Sequence, residues 1–309
     1  MTPTLVRQHT AHADSAPRVD LCARARDWSE IQERMLVPLY EAVYERLEVG
    51  PVTRLLGLRC GSGLALLMAV SRGAAVTGVE AHSPERLALA RERLLPHASP
   101  SGRGGRKGGG SGFGGPGTSG RTRARAGVEL VAGSPADVPD GGAAEAEAYN
   151  LVTLFEPVGC LSGGSEGLGE SLAQALPRAR RGAAVVLAGW GPPERCATSS
   201  VLRVATKLAD PLCGTGSWRP AGRDDLEEVA QRAGLKPDGS GRVACPFGYA
   251  DLDSAVRGLL STGLFDAAIA ATDAKQVDKE LTEALHPYRR PDGTVWMPNV
   301  FRYLVARVP

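Results

Sequence analysis

The sequence predicts an α/β fold: a doubly wound, mostly parallel sheet of seven strands with helices on both faces. Short apolar runs alternate with amphipathic runs between residues 52 and 188, which is the pattern of successive strand–helix units. The apolar runs are continuous, as expected for strands that are buried on both faces of a parallel sheet. A glycine-bearing loop after the first run lies where such sheets bind ligands.

The predicted elements follow this alternation along the chain. Apolar residues at helical spacing between Trp28 and Leu47 predict a helical lead-in, and Pro38 predicts a break or kink within it. Strands are predicted at 52–58, 75–79, 128–132, 151–155 and 183–188, with helices at 64–70, 84–95 and 168–179. After Trp190, helices are predicted at 224–233, 252–260 and 277–285, and strands at 243–247 and 301–308. The late strands are expected to complete the sheet as an antiparallel pair, with an antiparallel C-terminal strand and the helices covering the sheet's C-terminal edge.

Residues 99–126 interrupt this alternation with a Gly- and Arg-rich stretch that contains almost no apolar side chains. Such a segment cannot recover its ordering entropy by burial, so it is predicted to be a disordered surface insert. A second interpretation is that its arginines and lysine bind an acidic partner or nucleic acid.

Composition limits the possible function classes. The 309 residues are 43% hydrophobic and carry a formal charge of only +2, with much of the basic excess in the insert, so no nucleic-acid partner is predicted. The six cysteines are scattered singly without a CxxC spacing, which predicts neither a metal site nor a disulfide framework. No signal peptide or membrane-spanning run is recognisable, so a cytoplasmic protein without a membrane partner is expected. The sequence does not predict an oligomeric state.

The loop after the first strand, LLGLRCGSGLA at residues 55–65, is the first candidate ligand site. Gly61 and Gly63 allow a positive φ and a close approach of the backbone to a ligand. No glycine stands at Ala65 or Leu66, which disfavours a nicotinamide dinucleotide site, and the missing Lys-Ser or Lys-Thr pair excludes a P-loop. The alternative is a tight strand–helix connection without a ligand.

Glu80 closes the second predicted strand. A carboxylate at this place can accept hydrogen bonds from both hydroxyls of a ribose that lies across the first loop. Together with Gly61 and Gly63 it predicts a site for an adenosyl group. Alternatively, Glu80 is a solvated strand-end charge or a cap for the helix that begins near Pro84.

Stretches of sequence between Asp27 and Arg307, apart from the insert, resemble those of a known family. They are DWSEIQERMLVPLYEAVYERL, LLGLRCGSGLA, VTGVEAHSPERLALAR, YNLVTLFEPVG, RRGAAVVLAGWGPPERC, DDLEEVAQRAGLKP, CPFGYADLDSAVRGLLSTG and ALHPYRRPDGTVWMPNVFRYLVA. With them the chain resembles the class I S-adenosylmethionine-dependent methyltransferases, in particular the ubiquinone/menaquinone-type and related actinobacterial small-molecule enzymes. The resemblance implies a Rossmann-like methyltransferase fold, S-adenosylmethionine as cofactor and S-adenosylhomocysteine as product.

The resemblance also implies a set of cofactor-binding residues. They are Gly57, Arg59, Cys60, Gly61, Gly63, Glu80, Ala81, Ser134, Pro135 and Phe155. Three of them depart from the family pattern: Gly57 stands at an acidic position, Arg59 at the first glycine, and Ser134 where an aspartate is often found. Arg59 would place a cation near the sulfonium or pair with the methionyl carboxylate. These departures predict cofactor binding that is weakened, altered or lost.

Methyl transfer is an in-line displacement, so the protein mainly positions the nucleophile and excludes water. The candidates for direct chemistry are Glu156, His286 and Tyr40, and those for the substrate pocket are Trp28, Trp190, Tyr249 and Tyr288. Each has a structural alternative: His286 as a surface histidine, Glu156 as a residue that orients the loop before Pro157, and the aromatic residues as core packing.

The chain is expected to form a single domain, with three functional parts after a flexible N-terminus at 1–20. Residues 21–50 are the helical lead-in, 51–190 the cofactor-binding half with the insert, and 191–309 the substrate-side half. The predicted function is methylation of a small organic metabolite at oxygen, carbon or nitrogen. The alternatives are a non-methylating step, such as a cyclisation or rearrangement, and a binding or scaffold protein whose cofactor site has decayed.

Overall fold

The computed structural model describes residues 20–95, 127–138, 148–158, 168–209, 222 and 224–309. The strands are β1 (Arg54–Leu58), β2 (Ala75–Glu80), β3 (Val128–Ala132), β4 (Tyr149–Val158), β5 (Ala179–Trp190), β6 (Lys236–Ala244), β7 (Phe247–Tyr249), β8 (Val295–Met297) and β9 (Val300–Arg307). The predicted insert at 99–126 and the predicted flexible segment 1–19 lie outside the described residues.

Seven strands form one sheet in the order β3-β2-β1-β4-β5-β9-β6. The strands β1 to β5 pair in parallel, and β9 lies antiparallel between β5 and β6. This confirms the predicted seven-stranded, mostly parallel sheet with an antiparallel C-terminal strand. The order reverses between β1 and β4, and a crevice for ligands is expected at the C-terminal ends of the strands on either side of such a reversal.

The helices surround this sheet. They are α1 (Leu21–Asp27), α2 (Val37–Arg46), α3 (Leu64–Ser71), α4 (Pro84–Leu94), α5 (Leu168–Ala175), α6 (Thr198–Ala209), α7 (Asp225–Arg232), α8 (Leu252–Leu260), α9 (Asp266–Ala271) and α10 (Ala274–Leu285). One apolar core, on the side of α2, α3, α4, α6, α8, α9 and α10, and a second, on the side of α5 and α7, cover the two faces. We call α6, α8, α9, α10 and the two-stranded β7–β8 sheet the cover.

The helical lead-in changes type along its length. After α1 come a π-helical turn (Trp28–Gln32) and a 3₁₀ turn (Glu33–Leu36), and α2 follows with Pro38 in its first turn. Proline is tolerated there because the first N–H groups of a helix have no intrahelical partner. Pro38 thus lies in the first turn of α2, where the 3₁₀ turn changes to an α-helix. The π-helical turn widens the backbone at Trp28, a residue of the ligand cavity described below.

The C-terminal half differs from the prediction. The strand predicted at 243–247 is wrong, because β6 spans Lys236–Ala244 and β7 pairs with β8 in a separate two-stranded sheet. The sequence of β6, KPDGSGRVA, is poor in strand-forming residues, and a proline and glycines are tolerated in it because it forms the edge of the sheet. Two helices of the cover, α6 and α9, were not predicted at all.

Gly78 in the middle of β2 offers a test of how tightly the sheet packs on α3. An added Cβ would lie 2.5 Å from Leu66 Cδ1 and 2.8 Å from Leu130 Cδ2. Gly78→Ala is therefore expected to lower the free energy of unfolding by about 1–3 kcal/mol through overpacking. Urea denaturation measures this change. The control is Gly169→Ala in α5, where an added Cβ meets nothing within 4 Å; equal losses in the two variants would contradict the packing argument.

Candidate ligand site

A cavity of about 560 Å³ opens at the C-terminal edge of the sheet, where the strand order reverses. Its walls come from the β1–α3 loop, the ends of β2, β4 and β5, the helical lead-in, and the segment before α9. Many residues predicted for the site meet here: Trp28, Tyr40, Gly57, Arg59, Cys60, Gly61, Glu80, Phe155, Glu156 and Trp190. The volume lies in the range of small-molecule sites, about 300–1,000 Å³.

The β1–α3 loop and the end of β2 are joined directly. Gly61, with a φ of 57°, donates its N–H to Glu80 Oε2 at 3.0 Å. The other carboxylate oxygen of Glu80 accepts the N–H groups of His82 at 2.9 Å and Ser83 at 3.3 Å. A carboxylate has about four acceptor positions. The buried Glu80 therefore faces the loop and retains about one position for a ligand hydroxyl. The cap of α4 is Ser83, which accepts the N–H of Arg86 at 3.2 Å.

Two loop residues, Gly57 and Arg59, depart from the family pattern, and the structure shows what surrounds each of them. A Cβ on Gly57 would lie 2.8 Å from Leu66 Cδ2, so Leu66 fills the space that an acidic side chain would need. Arg59 adopts a φ of 48°, in the left-handed region that favours glycine. Its Nη1 donates to Glu156 Oε2 at 2.7 Å. This ion pair links the ends of β1 and β4 along the cavity wall.

A second buried carboxylate, which sequence reasoning missed, holds the same loop from the other side. Glu33 accepts hydrogen bonds from the Ser62 hydroxyl and from the Leu64 N–H at 3.3 Å. Arg93 on α4 donates to Glu33 Oε2 at 2.7 Å, to the Ser62 carbonyl at 2.8 Å and to Ser29 Oγ at 2.7 Å. Helical spacing could have revealed Glu33, because it lies three and seven residues before the buried Leu36 and Tyr40.

The indole of Trp28 presents a buried donor to the loop. Its Nε1 is buried and has no hydrogen-bond partner among the described residues. It lies 3.3 Å from the position that a Cβ on Gly61 would take. The Arg86 guanidinium covers the ring at 4.1 Å from its centre and donates to the Ser261 carbonyl at 2.7 Å. Since buried N–H groups are normally satisfied, this donor is a candidate contact for a ligand.

Aromatic rings line the end of the cavity near β4 and β5. The ring of Tyr40 lies 4.7 Å from that of Phe155, and the ring of Trp190 lies 4.6 Å from that of Phe301 and 6.0 Å from that of Phe247. Burial, and secondarily the charge of nearby Glu33, raises the pKa of Tyr40 well above its ordinary value. Tyr40 therefore stays protonated near neutral pH and cannot serve as a general base there.

Some predicted cofactor residues lie outside the cavity lining. Gly63, with a φ of 80°, is the N-cap of α3, and Ala81 is exposed after β2. Ser134 caps a short 3₁₀ turn, Pro135–Asp137, and its N–H and hydroxyl both donate to the Asp137 carboxylate. The polar groups of Ser134 are thus used by the turn itself.

Three of the predicted catalytic and pocket residues also lie elsewhere. His286 is exposed at the end of α10. The Tyr288 hydroxyl shares a hydrogen bond with Ser200 Oγ at 2.9 Å. The Tyr249 hydroxyl donates to Gln32 Oε1 at 3.0 Å, and burial raises the pKa of Tyr249. Tyr249 thus fastens the cover to the lead-in behind the cavity.

Within the described ranges, no three His, Cys, Asp or Glu side chains are grouped so that they could hold a metal ion. The described cysteines, Cys22, Cys60, Cys196 and Cys245, are free thiols. Burial raises the pKa of the Cys60 thiol, which keeps this cavity residue protonated and weakly nucleophilic. No helix in the part of the chain seen in the structure combines the length and apolarity needed to cross a bilayer.

No protein-family model and no curated protein matches the sequence. Similar solved structures include a putative methyltransferase from Bacillus halodurans, with 13% identity, a TM-score of 0.49, and coverage of 87% of this chain and 98% of that one. An S-adenosylhomocysteine complex of a SAM-dependent methyltransferase from Geobacter sulfurreducens has 16% identity, a TM-score of 0.48, and coverage of 93% and 98%. The cyclase SpnF has 14% identity, a TM-score of 0.45, and coverage of 88% and 80%. Because these TM-scores are below 0.5, the architecture is assigned from the strand order itself.

The Glu33–Arg93 pair is expected to contribute strongly to stability. The side chains are 3% and 19% exposed, and removing one partner of a buried pair leaves an uncompensated charge. Glu33→Ala should therefore lower the free energy of unfolding by about 3–5 kcal/mol, as measured by chemical denaturation. The control is Glu283→Ala, which removes an exposed i,i+4 pair with Lys279 and should change stability by less than about 0.5 kcal/mol. Similar losses in the two variants would refute a structural role for the buried network.

Proposed function

We propose that this chain binds S-adenosylmethionine in the cavity and transfers its methyl group to a small organic molecule. One observation carries the proposal: Gly61 and Glu80 are joined by a 3.0 Å hydrogen bond and line one cavity at the strand-order reversal. Open α/β sheets bind nucleoside-type ligands at this place. The resemblance in sequence supports the same ligand.

The hydrogen-bond donors and acceptors that line the cavity suit such a cofactor. Glu80 retains about one acceptor position for a ribose hydroxyl, so it would hold one hydroxyl directly rather than two. The buried Nε1 of Trp28 suits an anionic or carbonyl oxygen. Because Gly61 has no side chain, space remains between the Trp28 indole and the backbone of the loop. A Cβ added to Gly61 would fill this space.

When bound, S-adenosylmethionine supplies an electrophilic methyl group on a sulfonium sulfur. The protein's part is then to hold the acceptor in line and to keep water out. Tyr40, Phe155 and Trp190 provide an apolar wall beside the ends of β4 and β5. This wall favours a flat, uncharged acceptor, because a polar group placed against it without a hydrogen bond would lose its hydration.

Glu156 is the carboxylate at the end of β4, next to this aromatic wall. Its side chain is 50% exposed and accepts a hydrogen bond from Arg59. If the acceptor must lose a proton, Glu156 is the candidate to receive it.

Glu80 provides the direct test of cofactor binding. Isothermal titration calorimetry of the unmodified chain is expected to detect binding of S-adenosylmethionine and S-adenosylhomocysteine. Glu80→Gln should weaken both by about 10–100-fold, because hydrogen bonds to charged groups contribute about 1.5–3 kcal/mol. Glu92→Gln on the exposed face of α4 is the control and should leave affinity unchanged. An absence of heat at millimolar ligand would count against the proposal.

A second candidate function is a non-methylating step, such as a cyclisation or rearrangement, in the same cavity. The observation that favours it is the guanidinium of Arg59 in the cavity wall. A cation at this place opposes a sulfonium cation and would tend to favour a nucleoside ligand in which the sulfur is uncharged.

The mass of the product separates the two functions. With S-adenosylmethionine carrying a trideuterated methyl group and a panel of phenols and hydroquinones, we expect a product that has gained one labelled methyl group. Stoichiometric S-adenosylhomocysteine should accompany it, since each transfer leaves one. Mass spectrometry measures both. A product with unchanged mass and no S-adenosylhomocysteine would establish the non-methylating function instead.

A further inference from the structure

We propose that a second pocket, at the edge of the sheet opposite the cavity, binds a small organic carboxylate through Arg54. The pocket has a volume of about 190 Å³ and lies at the N-terminal ends of β1, β2, β3 and β4. Sites for drug-sized ligands begin at about 300 Å³, so the ligand of this pocket has to be small. The inference does not depend on the proposed function.

Polar residues stand near the start of three neighbouring strands, on one face of the sheet. Arg54, Thr77 and Glu129 each precede by two residues a buried apolar residue of the second core, on the side of α5 and α7. Since side chains alternate along a strand, the three polar residues lie on the face of that core. Parallel strands that are buried on both faces are normally apolar throughout. The three residues depart from this pattern together, and all three line the second pocket.

Arg54 supplies the positive charge of the pocket. Its Nε is buried and has no hydrogen-bond partner among the described residues. Buried N–H groups are normally satisfied, and a guanidinium forms paired, charge-assisted hydrogen bonds with a planar carboxylate. A carboxylate in the pocket would therefore give this guanidinium the acceptor that the described residues do not provide.

Tyr149 and Thr77 add an aromatic ring and a hydroxyl. Both residues are buried, and the Tyr149 hydroxyl donates to Thr77 Oγ1 at 2.8 Å. The Thr77 hydroxyl therefore keeps its own hydrogen for another acceptor. Burial raises the pKa of Tyr149, while the charges of Glu129 and Arg54 raise and lower it, respectively, which places both charges near the phenol. Tyr149 stays protonated near neutral pH and adds no negative charge to the pocket.

Glu129 limits the charge of the ligand. Arg54 and Glu129 balance each other among the charged residues that line the pocket. The cost of removing an ion from water rises with the square of its charge, whereas its attraction to one guanidinium rises only in proportion to that charge. A singly charged carboxylate is therefore favoured over a dianion such as a phosphate ester.

Benzoate and benzamide test the pocket, because they have nearly the same shape and differ in charge. Ligand-observed NMR titrations are expected to show benzoate binding at millimolar concentration, and benzamide at least about tenfold weaker. Benzoate should also shift the Nε–H signal of Arg54, which identifies the site. Arg54→Gln should weaken benzoate about tenfold or more, because it removes the charge-assisted contact. The control is Arg181→Gln, at an exposed position near the start of β5, which should leave the affinity unchanged.

Glu129→Gln removes the negative charge from the pocket and should strengthen benzoate by up to about fivefold, a gain that a general loss of structure could not produce. S-adenosylhomocysteine is expected in the main cavity, so calorimetry should give affinities for the unmodified chain and Arg54→Gln that agree within about twofold. Three results would each overturn the pocket and leave the proposed function standing: no benzoate binding, an unshifted Arg54 signal, or equal affinities for benzoate and benzamide. Failure of the unmodified chain to bind S-adenosylhomocysteine would overturn the proposed function alone.

Discussion

Two buried carboxylates hold the loop between β1 and α3, and the rest of the candidate site depends on them. Glu80 accepts the Gly61 N–H from the side of β2, while Glu33 accepts the Leu64 N–H and the Ser62 hydroxyl from the side of the lead-in. The N–H groups of Gly61 and Leu64 therefore do not need a ligand to be satisfied. An arrangement of this kind is preorganised, so a ligand that enters does not have to order the backbone first.

The same hydrogen bonds limit what the loop can bind. Each N–H that a protein carboxylate satisfies is no longer available to an anionic ligand, and each acceptor position used on Glu80 is lost to a ribose hydroxyl. Side chains around the loop, among them the Trp28 indole and the Glu156 carboxylate, offer further polar groups. The polar groups left for a ligand are therefore in part side-chain groups rather than backbone N–H groups.

The sequence predicted the first half of the fold well, because its strands β1, β2 and β3 are continuous apolar runs bounded by clear turns. It failed at β6, where a Pro- and Gly-containing segment is a strand only through its pairing with β9. The site was predicted where backbone position decides it, as at Gly61 and Glu80. The pairing of Glu33 with Arg93 was not predicted, because two segments 60 residues apart meet there and the spacing around Glu33 says nothing about its partner. His286 was predicted from its chemistry alone, but it is exposed and does not line the cavity. The residue type alone does not indicate how far a side chain lies from the cavity.

The cavity combines two chemically different halves, and this division constrains any reaction in it. Hydrogen-bonding and charged groups are concentrated near β1 and β2, whereas rings of Tyr40, Phe155 and Trp190 form the wall towards β4 and β5. An ion placed against the rings would lose hydration, while a flat apolar molecule would gain by burial. Because the phenol of Tyr40 stays protonated, deprotonation of a bound molecule would have to occur at the boundary, where Glu156 lies. The Arg59–Glu156 ion pair therefore lies where these two halves of the cavity wall meet.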